Sequence, residues 1–473
     1  MQTTQWKNRQ IVIIGAARQG LALTRFFLLR GARVILNDRN DETSLGSAIQ
    51  EMETWKAVNA DAITGQLTWV LGQHPLSILE NTDLVCVSGG VPLELPIIQE
   101  AQEQGIPVTN DSELFMQSVA CTVIGITGSA GKTTTTALLG EILTNSLETP
   151  SRKVWVGGNI GKPLIEYVSD IQQNDLVLLE LSSFQLDLMK TVPHIGVILN
   201  ITPNHLDRHG TMEAYTQAKM NLFRYQSDED IAIVNHEDAN IWRERKIIPG
   251  KTAVFGYHRC VLPVVQSYQK DDQLMLHDGE QEHHLFNVNE IQLRGKHNVL
   301  NVLAACVTAY YAGVKLSDLR EIVKQFEGVP HRLEFVREIG GVSWFNDSIA
   351  TSPERSMAAI RSFTEPLVVL LGGRDKKLPW ENLAKLIHRR VHDVILFGEA
   401  AEMIEQVLKQ QHCSSSLIQI NRCATLAEAV QAAAQAAQPG DVVLLAPGGT
   451  SYDEFQDFAE RGERFKAWVQ QIS

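Results

Sequence analysis

Apolar and polar positions follow two patterns along this chain. One is typical of buried strands and the other of amphipathic helices. Short apolar runs alternate almost throughout with segments in which apolar residues recur every three or four positions. Strands that alternate with helices in this way predict parallel α/β sheets. The runs that we predict as strands are Ile11–Gly15, Val34–Asn37, Leu84–Ser88, Val123–Thr127, Leu176–Leu181, Ile195–Asn200, Ile231–Asn235, Leu367–Gly372, Val394–Gly398 and Val442–Pro447.

The chain is long enough for several domains. Its 473 residues exceed what one hydrophobic core usually serves. A Gly-Pro break at Gly328–Pro330 follows a helical run and marks the start of a third unit. We therefore expect three α/β domains over residues 1–110, 111–328 and 329–473. The first and third are predicted to be Rossmann-like and the central one to be of the P-loop ATPase type, with a polar hairpin region at Gln266–Glu290.

The predicted strand Val123–Thr127 runs into a glycine-bracketed loop, Gly128–Thr134, and then into a helical segment. Backbone amides in such a loop, the helix N-terminus and the ammonium group of Lys132 are suited to nucleotide phosphates. The Walker pattern would place its first glycine at Ile126, so this loop is tighter than that pattern. The strand–loop–helix context predicts an ATP site here.

The first predicted strand ends at Gly15, and the second leads to Asp38. A glycine turn before a helix, with a carboxylate after the next strand, favours a diphosphate and a ribose or another polar ring. Ala17 replaces the second glycine of the dinucleotide fingerprint, so a plain α/β turn stays open as an alternative. An NAD(P)-dependent oxidoreductase built on this turn is the rival enzyme class, and an ATP-gated binding protein is the non-enzymatic one.

Composition limits which binding partners and which cellular compartment we expect. A formal charge of −13 argues against nucleic-acid binding, which needs basic surface to neutralise phosphates. No apolar stretch reaches the length of a membrane span, and the first residues lack the apolar core of a signal peptide, so we expect a cytoplasmic protein, and a monomer. The cysteines form no Cys-x-x-Cys pair, which favours reduced thiols at Cys86, Cys121, Cys260, Cys306, Cys413 and Cys423.

Several segments, taken in order, resemble the Mur ligase family, the ATP-dependent amide ligases of peptidoglycan precursor synthesis. The resemblance spans nearly all of the chain and implies that a carboxylate is activated as an acyl phosphate and then attacked by an amine. It is greatest to members that add D-glutamate to UDP-N-acetylmuramoyl-L-alanine. The segments that carry it are Thr127–Thr134, Gly157–Gly161, Glu180–Leu186, Asn204–Lys219, Leu293–Asn301, Gly328–Arg332 and Phe455–Gly462.

The resemblance implies a catalytic set of Lys132, Glu180, His205 and Lys219. Glu180 would hold Mg²⁺ together with Thr133, and His205 would hold a second Mg²⁺ with a carbamylated Lys219. From the residues alone, Glu180 could instead be a helix N-cap, although Ser182 or Ser183 would cap better. Lys219 by itself would be a solvated helix lysine, and magnesium rarely takes histidine.

Asn298 and Asn301 stand at positions i and i+3, where two amides on one helix face could hold an adenine ring. The alternative is that Asn298 is an N-cap. The resemblance favours the nucleotide role and adds Arg332 and Asp347 as contacts to ATP. The complete expected ATP-binding set is Gly128, Ser129, Ala130, Gly131, Lys132, Thr133, Thr134, Asn298, Asn301, Arg332 and Asp347.

The resemblance also implies where the two other substrates bind. The first domain would bind the UDP-sugar, and the third domain would clamp the amino-acid carboxylates with Thr351, Lys376 and Ser451, with Phe458 lining the pocket. The expected contacts to the UDP substrate are Arg18, Gln19, Asp38, Arg39, Ser88, Gly89, Asn159 and Ser182.

Two departures from the family pattern fall in the third domain. Ile349 stands where many members have a lysine, which removes a positive charge, and Gly372–Lys377 offers cations that could compensate. The Gly448–Thr450 loop also differs from the frequent version. Both flank the expected clamp, so L-glutamate stays open beside D-glutamate as the added amino acid.

Overall fold

The structure is a computed structural model that describes residues 5–411 and 418–472. Cys413 therefore lies outside the described residues. The described chain forms three sheets and divides into two compact units. The first unit runs to Val288 and includes Leu300–Val323, and the second comprises Asn289–Val299 and the chain from Lys324.

The first sheet is parallel and has five strands. Its elements in chain order are β1 (Gln10–Ile14), α1 (Arg18–Leu28), β2 (Arg33–Asp38), α2 (Gly46–Val58), β3 (Gln66–Leu71), β4 (Leu84–Val87), α3 (Pro96–Glu103) and β5 (Val108–Thr109). The strand order is β3-β2-β1-β4-β5, the Rossmann-like order that the sequence predicted. The order reverses between β1 and β4, and ligands of such sheets bind beyond the carboxyl ends at that point.

The second sheet has nine strands and carries the predicted phosphate loop. Its region contains α4 (Asp111–Ser118), β6 (Thr122–Thr127), α5 (Lys132–Leu147), β7 (Val154–Gly158), β8 (Leu176–Glu180), α6 (Ser183–Leu188), β9 (Ile195–Ile198), α7 (Leu206–His209), α8 (Met212–Arg224), β10 (Ile231–Asn235), α9 (Ala239–Glu244), β11 (Lys251–Gly256), β12 (Gln266–Lys270), β13 (Gln273–His277), β14 (Glu282–Asn287), α10 (Lys296–Tyr311) and α11 (Leu316–Gln325). The order is β14-β13-β12-β11-β10-β9-β6-β8-β7, with β6 between β9 and β8. The strands β12, β13 and β14 are antiparallel, which confirms the predicted hairpin region.

The third sheet has six strands and belongs to the second unit. Its elements are β15 (Glu334–Ile339), β16 (Val342–Asn346), α12 (Pro353–Arg361), β17 (Leu367–Gly372), α13 (Glu381–Arg390), β18 (Val391–Phe397), α14 (Ala401–Gln410), β19 (Gln419–Arg422), α15 (Leu426–Ala436), β20 (Val442–Gly448) and α16 (Phe458–Gln470). The order is β15-β16-β20-β17-β18-β19, parallel except for the pair of β15 with β16.

Central strands are buried and apolar, whereas two of the strands that the sequence did not predict are much more exposed. All six residues of β17 are buried, as expected for a parallel strand covered on both faces. In contrast, β3 has no buried residue and β19 is largely exposed. Such strands lack the continuous apolar run by which buried strands are recognised in a sequence.

Two further observations bear on the sequence predictions. Among the described residues, no helix is long and apolar enough to cross a membrane. The five cysteines that the structure describes are free thiols, four of them buried, which agrees with the expectation of reduced cysteines.

Candidate active site

The phosphate loop follows β6 and turns into α5 at Gly131. Gly131 has φ of +83°, a left-handed conformation that favours glycine, and α5 begins at Lys132 without a side-chain N-cap. The amides of the first helical turn have no partners within a helix, so an uncapped N-terminus attracts an anion. The local geometry is therefore suited to binding a phosphate.

The first half of the loop is held by Asn200 at the end of β9. The Asn200 carbonyl accepts the amide of Ser129 at 2.9 Å, and its side-chain Oδ1 accepts the amide of Ala130 at 2.8 Å. The Asn200 side chain also donates to the Ala130 carbonyl at 3.0 Å. These contacts fix the loop conformation and leave the first turn of α5 as the source of amide donors.

Two lysine ammonium groups meet at one carbonyl oxygen of this loop. Lys132 Nζ donates to the Gly128 carbonyl at 2.9 Å, and Lys219 Nζ, which comes from α8, donates to the same oxygen at 3.1 Å. Lys219 Nζ also lies 3.4 Å from Thr127 Oγ1 and 4.8 Å from the centre of the Tyr215 ring. Positive charge is therefore concentrated beside the predicted phosphate site.

Lys219 is not the solvated helix lysine that its position in the sequence would suggest. Only 1% of the residue is exposed. Burial, and next the positive charge of Lys132, hold the pKa of Lys219 well below its usual range, while Asp187 and Glu180 act in the opposite direction. A buried lysine with a lowered pKa carries a neutral, nucleophilic amine more readily than an exposed one.

Glu180 lies at the end of β8, next to the strand that leads into the phosphate loop. β8 pairs with β6 in the register Ile126 to Glu180. The Glu180 side chain is 2% exposed, its Oε1 accepts a hydrogen bond from Asn159 Nδ2 at 2.9 Å, and its Oε2 has no hydrogen-bond partner. Ser182 caps α6 in a capping box with Gln185, so the N-cap alternative for Glu180 does not hold.

The unpartnered oxygen of Glu180 fits a magnesium ion. Mg²⁺ prefers oxygen ligands and is usually held by one or two carboxylates together with phosphates and water. Within the described part of the chain, no group of three or more His, Cys, Asp or Glu side chains is arranged to hold a metal. A Mg²⁺ ion at Glu180 would therefore take its other ligands from hydroxyl groups, phosphates and water.

His205 lies at the start of α7 within a cluster of rings that the sequence did not predict. Its φ of +53° is unusual for a residue other than glycine. Its ring lies 5.2 Å from the centre of Phe184, and the ring of His209 stacks on the same phenylalanine at 5.1 Å. The guanidinium of Arg208 lies 4.7 Å from the Phe184 centre, and His209 Nε2 is 2.9 Å from Ser183 Oγ.

Asn301 packs against the phosphate loop, whereas Asn298 makes a local contact. A Cβ atom built on Gly131 would lie 2.3 Å from Asn301 Oδ1, so the loop and this amide are in close contact. Asn298 Nδ2 donates to the Arg294 carbonyl at 2.6 Å. The helix α10 begins at Lys296, so Asn298 lies inside its first turn and is not the N-cap.

Arg332 and Asp347 lie near each other in the second unit. Asp347 is 5% exposed and accepts a hydrogen bond from the Leu333 amide at 3.0 Å. Burial raises the pKa of Asp347 to about 6, against the opposing effects of that hydrogen bond and of the Arg332 and Arg355 charges. The two residues predicted to contact ATP from the third domain are thus close enough to interact electrostatically.

The predicted UDP-substrate residues gather at the carboxyl ends of β1, β2 and β4. A Cβ on Gly15 would lie 2.9 Å from Ser88 Cβ, which explains the glycine at this turn. Asp38 Oδ2 accepts the amide of Ala16 at 2.8 Å, and Gln19 Oε1 accepts that of Gly89 at 2.9 Å. Asp38 therefore holds the Gly15 turn, and Gln19 connects α1 to the Ser88–Gly89 turn.

Among the remaining predicted substrate residues, one contact connects the first two sheets. Arg18 donates to the Asn159 carbonyl at 3.4 Å, whereas Arg39 is exposed. The Ser182 hydroxyl is engaged with Gln185 Oε1 at 3.0 Å as part of the capping box. Arg18 and Asn159 are thus brought together, and Asn159 in turn contacts Glu180.

A cavity of about 180 Å³ joins the Ser88–Gly89 turn to the His205 segment. Five charged or aromatic residues line it, and none of them was predicted as a site residue: Glu94, Phe184, Asp187, Arg208 and His209. The pKa of Asp187 is raised to about 6 by burial and by the Glu94 charge. The lining residues are Val87, Ser88, Gly89, Val91, Leu93, Glu94, Asn110, Phe184, Asp187, Leu188, Arg208 and His209.

The expected amino-acid clamp lies on loops of the third sheet. Lys376 Nζ donates to Thr351 Oγ1 at 3.2 Å, so these two predicted residues are in contact. Ser451 is 2% exposed at the end of the loop after β20, and Phe458 is 36% exposed at the start of α16. Burial and the charges of Arg355 and Arg461 lower the pKa of Lys376.

Arg461 of α16 is a residue that sequence reasoning missed. It is completely buried, and it donates to the carbonyls of Ser348 at 2.8 Å and Gly449 at 3.2 Å. It thus ties together the loops that carry Thr351 and Ser451. Its position within the Phe455–Gly462 segment was the only sequence signal for it.

Comparison with known proteins assigns the family. The chain matches the MurD-like N-terminal domain of Mur ligases over residues 9–110, the Mur ligase middle domain over 126–309 and the Mur ligase glutamate ligase domain over 331–449. This chain therefore belongs to the Mur ligase family.

Two relatives match along nearly their whole length and carry the name UDP-N-acetylmuramoylalanine–D-glutamate ligase. The protein from Symbiobacterium thermophilum is 39% identical over 98% of this chain and 99% of its own length. The protein from Acetivibrio thermocellus is 38% identical, with coverage of 98% and 97%. These matches do not favour the oxidoreductase alternative.

Solved structures show the same fold. The UDP-N-acetylmuramate-alanine ligase MurC from Thermotoga maritima is 18% identical with a TM-score of 0.55, covering 98% of this chain and 99% of that one. The MurF ligase from Thermotoga maritima in complex with ADP is 19% identical with a TM-score of 0.55 and coverage of 100% and 97%. At these identities the likeness concerns the fold alone.

Proposed function

We propose that this protein is an ATP-dependent ligase that adds D-glutamate to UDP-N-acetylmuramoyl-L-alanine. The observation that carries the proposal is the convergence of Lys132 and Lys219 on the phosphate loop, beside a buried Glu180 with an unpartnered oxygen. Relatives that match along their full length and carry this activity in their name support the choice of substrates.

The reaction requires two successive transfers. The alanyl carboxylate attacks the γ-phosphorus of ATP, ADP leaves, and an acyl phosphate forms. The amine of glutamate then attacks the acyl carbon, an amide bond forms, and phosphate and a proton are released. Charge builds up on the transferred phosphoryl oxygens, so the site needs cations that are in place beforehand.

The residues of the chain supply such cations and oxygen ligands. Lys132 would contact the phosphates from the N-terminus of α5, where the first-turn amides add donors. Glu180 and Thr133 would hold one Mg²⁺, and Mg²⁺ when bound neutralises charge on the phosphates and lowers the barrier to phosphoryl transfer. Asn159 orients the Glu180 carboxylate through its hydrogen bond at 2.9 Å.

Lys219 is proposed to act as a carbamate that holds a second Mg²⁺ with His205. The ammonium first loses a proton, and the resulting neutral amine attacks CO₂, so that a nitrogen–carbon bond forms, a second proton is released and a carboxylate-like ligand results. Burial of Lys219 beside Lys132 supports this proposal, because both effects favour the neutral amine. The ammonium groups of Lys132 and Lys219 repel each other, whereas a carbamate on Lys219 would carry a negative charge and attract Lys132.

Three substrate sites follow from the proposed domains. Residues 1–110 would bind the UDP-sugar at the turns of Gly15 and Ser88, residues 111–328 would bind ATP, and residues 329–473 would bind glutamate through Lys376 and Thr351. Asn298, Asn301, Arg332 and Asp347 are proposed to contact the nucleotide. We further propose a monomer that works in the cytoplasm, where both nucleotide substrates are made.

A coupled phosphate-release assay tests this function. The protein is given UDP-N-acetylmuramoyl-L-alanine and ATP, with D-glutamate in one arm and L-glutamate in the other. We expect kcat/KM to be at least ~10²-fold larger for D-glutamate, since the wrong enantiomer leaves a clamp donor unpaired. A preference for L-glutamate would overturn the substrate assignment, and no phosphate release with either enantiomer would overturn the ligase.

A further inference from the structure

The amino-acid clamp has a second cation beside Lys376. A glutamate carries two carboxylates, and the predicted clamp residues other than Lys376 are neutral. A single ammonium is a compact point charge that serves one carboxylate well. The second carboxylate therefore needs another cation, and the sequence suggested that this cation lies within Gly372–Lys377.

Arg374 in that segment is already neutralised. Its Nε and Nη2 donate to the two carboxylate oxygens of Glu399 at 2.8 Å and 2.9 Å, which is a bidentate ion pair. Arg461 is enclosed by backbone carbonyls and is completely buried, so it acts on the loops rather than on a ligand. Neither arginine offers a guanidinium edge to a substrate carboxylate.

Arg355, on the first turn of α12, is placed differently. Its Nη1 donates to the Ile349 carbonyl at 3.1 Å, and the same oxygen accepts the Thr351 amide at 2.8 Å. Thr351 Oγ1 in turn accepts Lys376 Nζ at 3.2 Å. The two cations thus lie on either side of Thr351, and each donates a hydrogen bond to an oxygen of the same short loop.

The charge of Arg355 is not balanced by an ion pair. Arg355 is exposed, and it forms no ion pair with a carboxylate within the described part of the chain. Its charge acts on two neighbours. It lowers the pKa of Asp347, against the larger effect of burial, and it helps to lower the pKa of Lys376. A guanidinium without an ion-pair partner, close to an ammonium, is suited to bind a dianion.

We propose that Arg355 binds one carboxylate of the incoming glutamate while Lys376 and Thr351 bind the other, so that Arg355 replaces the charge missing at Ile349. The proposal rests on the glutamate-ligase function proposed above and names a specificity-determining residue of that site. A guanidinium can bind a carboxylate through two parallel hydrogen bonds between opposite charges. The side-chain amide of glutamine is neutral and cannot form such a charged pair. Arg355 would thus select a dicarboxylic amino acid.

Steady-state kinetics of Arg355→Ala test this assignment. We expect the KM for D-glutamate to rise about 10- to 100-fold, the scale of losing a charge-assisted hydrogen bond, while the KM values for ATP and the UDP substrate stay unchanged. The preference for D-glutamate over D-glutamine, measured as the ratio of kcat/KM values, should fall by a similar factor. Arg355→Lys, which keeps the charge, should fall between Arg355→Ala and the wild type.

Arg361→Ala is the matched control, because it removes the same charge from the last turn of the same helix. It should leave all three KM values unchanged. An unchanged KM for D-glutamate in Arg355→Ala, or a loss confined to kcat, would overturn the assignment of Arg355 while leaving the ligase intact. A wild-type protein without glutamate-dependent phosphate release would overturn the ligase and this assignment together.

Discussion

The phosphate loop and the proposed amino-acid clamp contain similar side chains in opposite surroundings. Around the loop, Lys219 is 1% exposed and Glu180 is 2% exposed, and both are fixed by neighbouring strands and helices. In the clamp, Lys376 and Arg355 are exposed and rest on one loop through single hydrogen bonds. Burial changes the pKa and the reactivity of a charged group, whereas an exposed charged group mainly attracts a ligand of opposite charge.

This contrast assigns different effects to substitutions in the two regions. Removing a buried cation or carboxylate from the loop should remove interactions that are made in the transition state. Removing an exposed cation from the clamp should weaken binding of one substrate. The predictions below test that division, from the largest expected effect to the smallest.

Lys132→Ala and Glu180→Ala should each abolish turnover while the protein stays folded. The first variant loses charge on the phosphates and the second loses a metal ligand, and one such contact typically contributes ~10²-fold or more in rate. Phosphate release and circular dichroism check this. Lys315→Ala, which removes an exposed lysine, should behave like the wild type, and near-normal turnover in either loop variant would contradict the assignment.

Lys219→Ala should be inactive, and short carboxylic acids such as acetate should restore part of the activity. A small carboxylate can occupy the space left by the side chain and offer the oxygen ligand that the carbamate would supply. The same acids should not rescue Lys132→Ala, which lacks a cation rather than an oxygen ligand. Wild-type rates in Lys219→Ala without any additive would show that no carbamate is needed.

Lys376→Ala should raise the KM for D-glutamate about 10- to 100-fold, with kcat and the KM for ATP changed much less. Its Nζ contacts Thr351 at the surface of the second unit, so the variant loses a ligand contact and little packing. Lys385→Ala, another exposed lysine of that unit, is the control. A large fall in kcat at saturating glutamate would place Lys376 in the chemical steps instead.

Asp111→Asn should change stability rather than activity. Burial raises the pKa of Asp111 to about 6, against hydrogen bonds from the Ser112 amide and the Gln185 side chain, and its Oδ1 has no partner. The folded state therefore favours the protonated form, so stability is lost as pH rises from about 4 to about 6. The shift corresponds to a penalty of about 2 to 3 kcal/mol at neutral pH.

Thermal unfolding at pH 4 and pH 8 measures this effect. Asp111→Asn should be more stable than the wild type at pH 8 and should show a weaker pH dependence. Asp61→Asn, which removes an exposed carboxylate from the same unit, should show neither change. A destabilised Asp111→Asn at pH 8 would mean that the ionised carboxylate is needed by its hydrogen-bond donors.

The sequence predicted those parts of the fold and site that depend on local pattern. Continuous apolar runs located central strands such as β6, β8 and β17. The glycine-bracketed loop predicted the turn that leads into α5 at Lys132. Half-exposed strands such as β3 were missed because their apolar residues alternate with polar ones.

Long-range contacts could not be predicted from local pattern. Nothing near Asn200 in the sequence indicates that it holds the amides of Ser129 and Ala130. The burial of Lys219 depends on the packing of α8 against the loop, and its lowered pKa follows from that burial. Arg355 and Arg461 are likewise recognised only when the loops around Thr351 and Gly449 are seen together.

The fate of a labelled oxygen tests the proposed mechanism most directly. UDP-N-acetylmuramoyl-L-alanine is prepared with ¹⁸O in the alanyl carboxylate and is turned over with ATP and D-glutamate. Because the carboxylate oxygen that attacks the γ-phosphorus leaves with phosphate when the amine attacks, the released phosphate should carry ¹⁸O from the substrate. Phosphate without the label, formed together with the amide product, would contradict an acyl-phosphate mechanism.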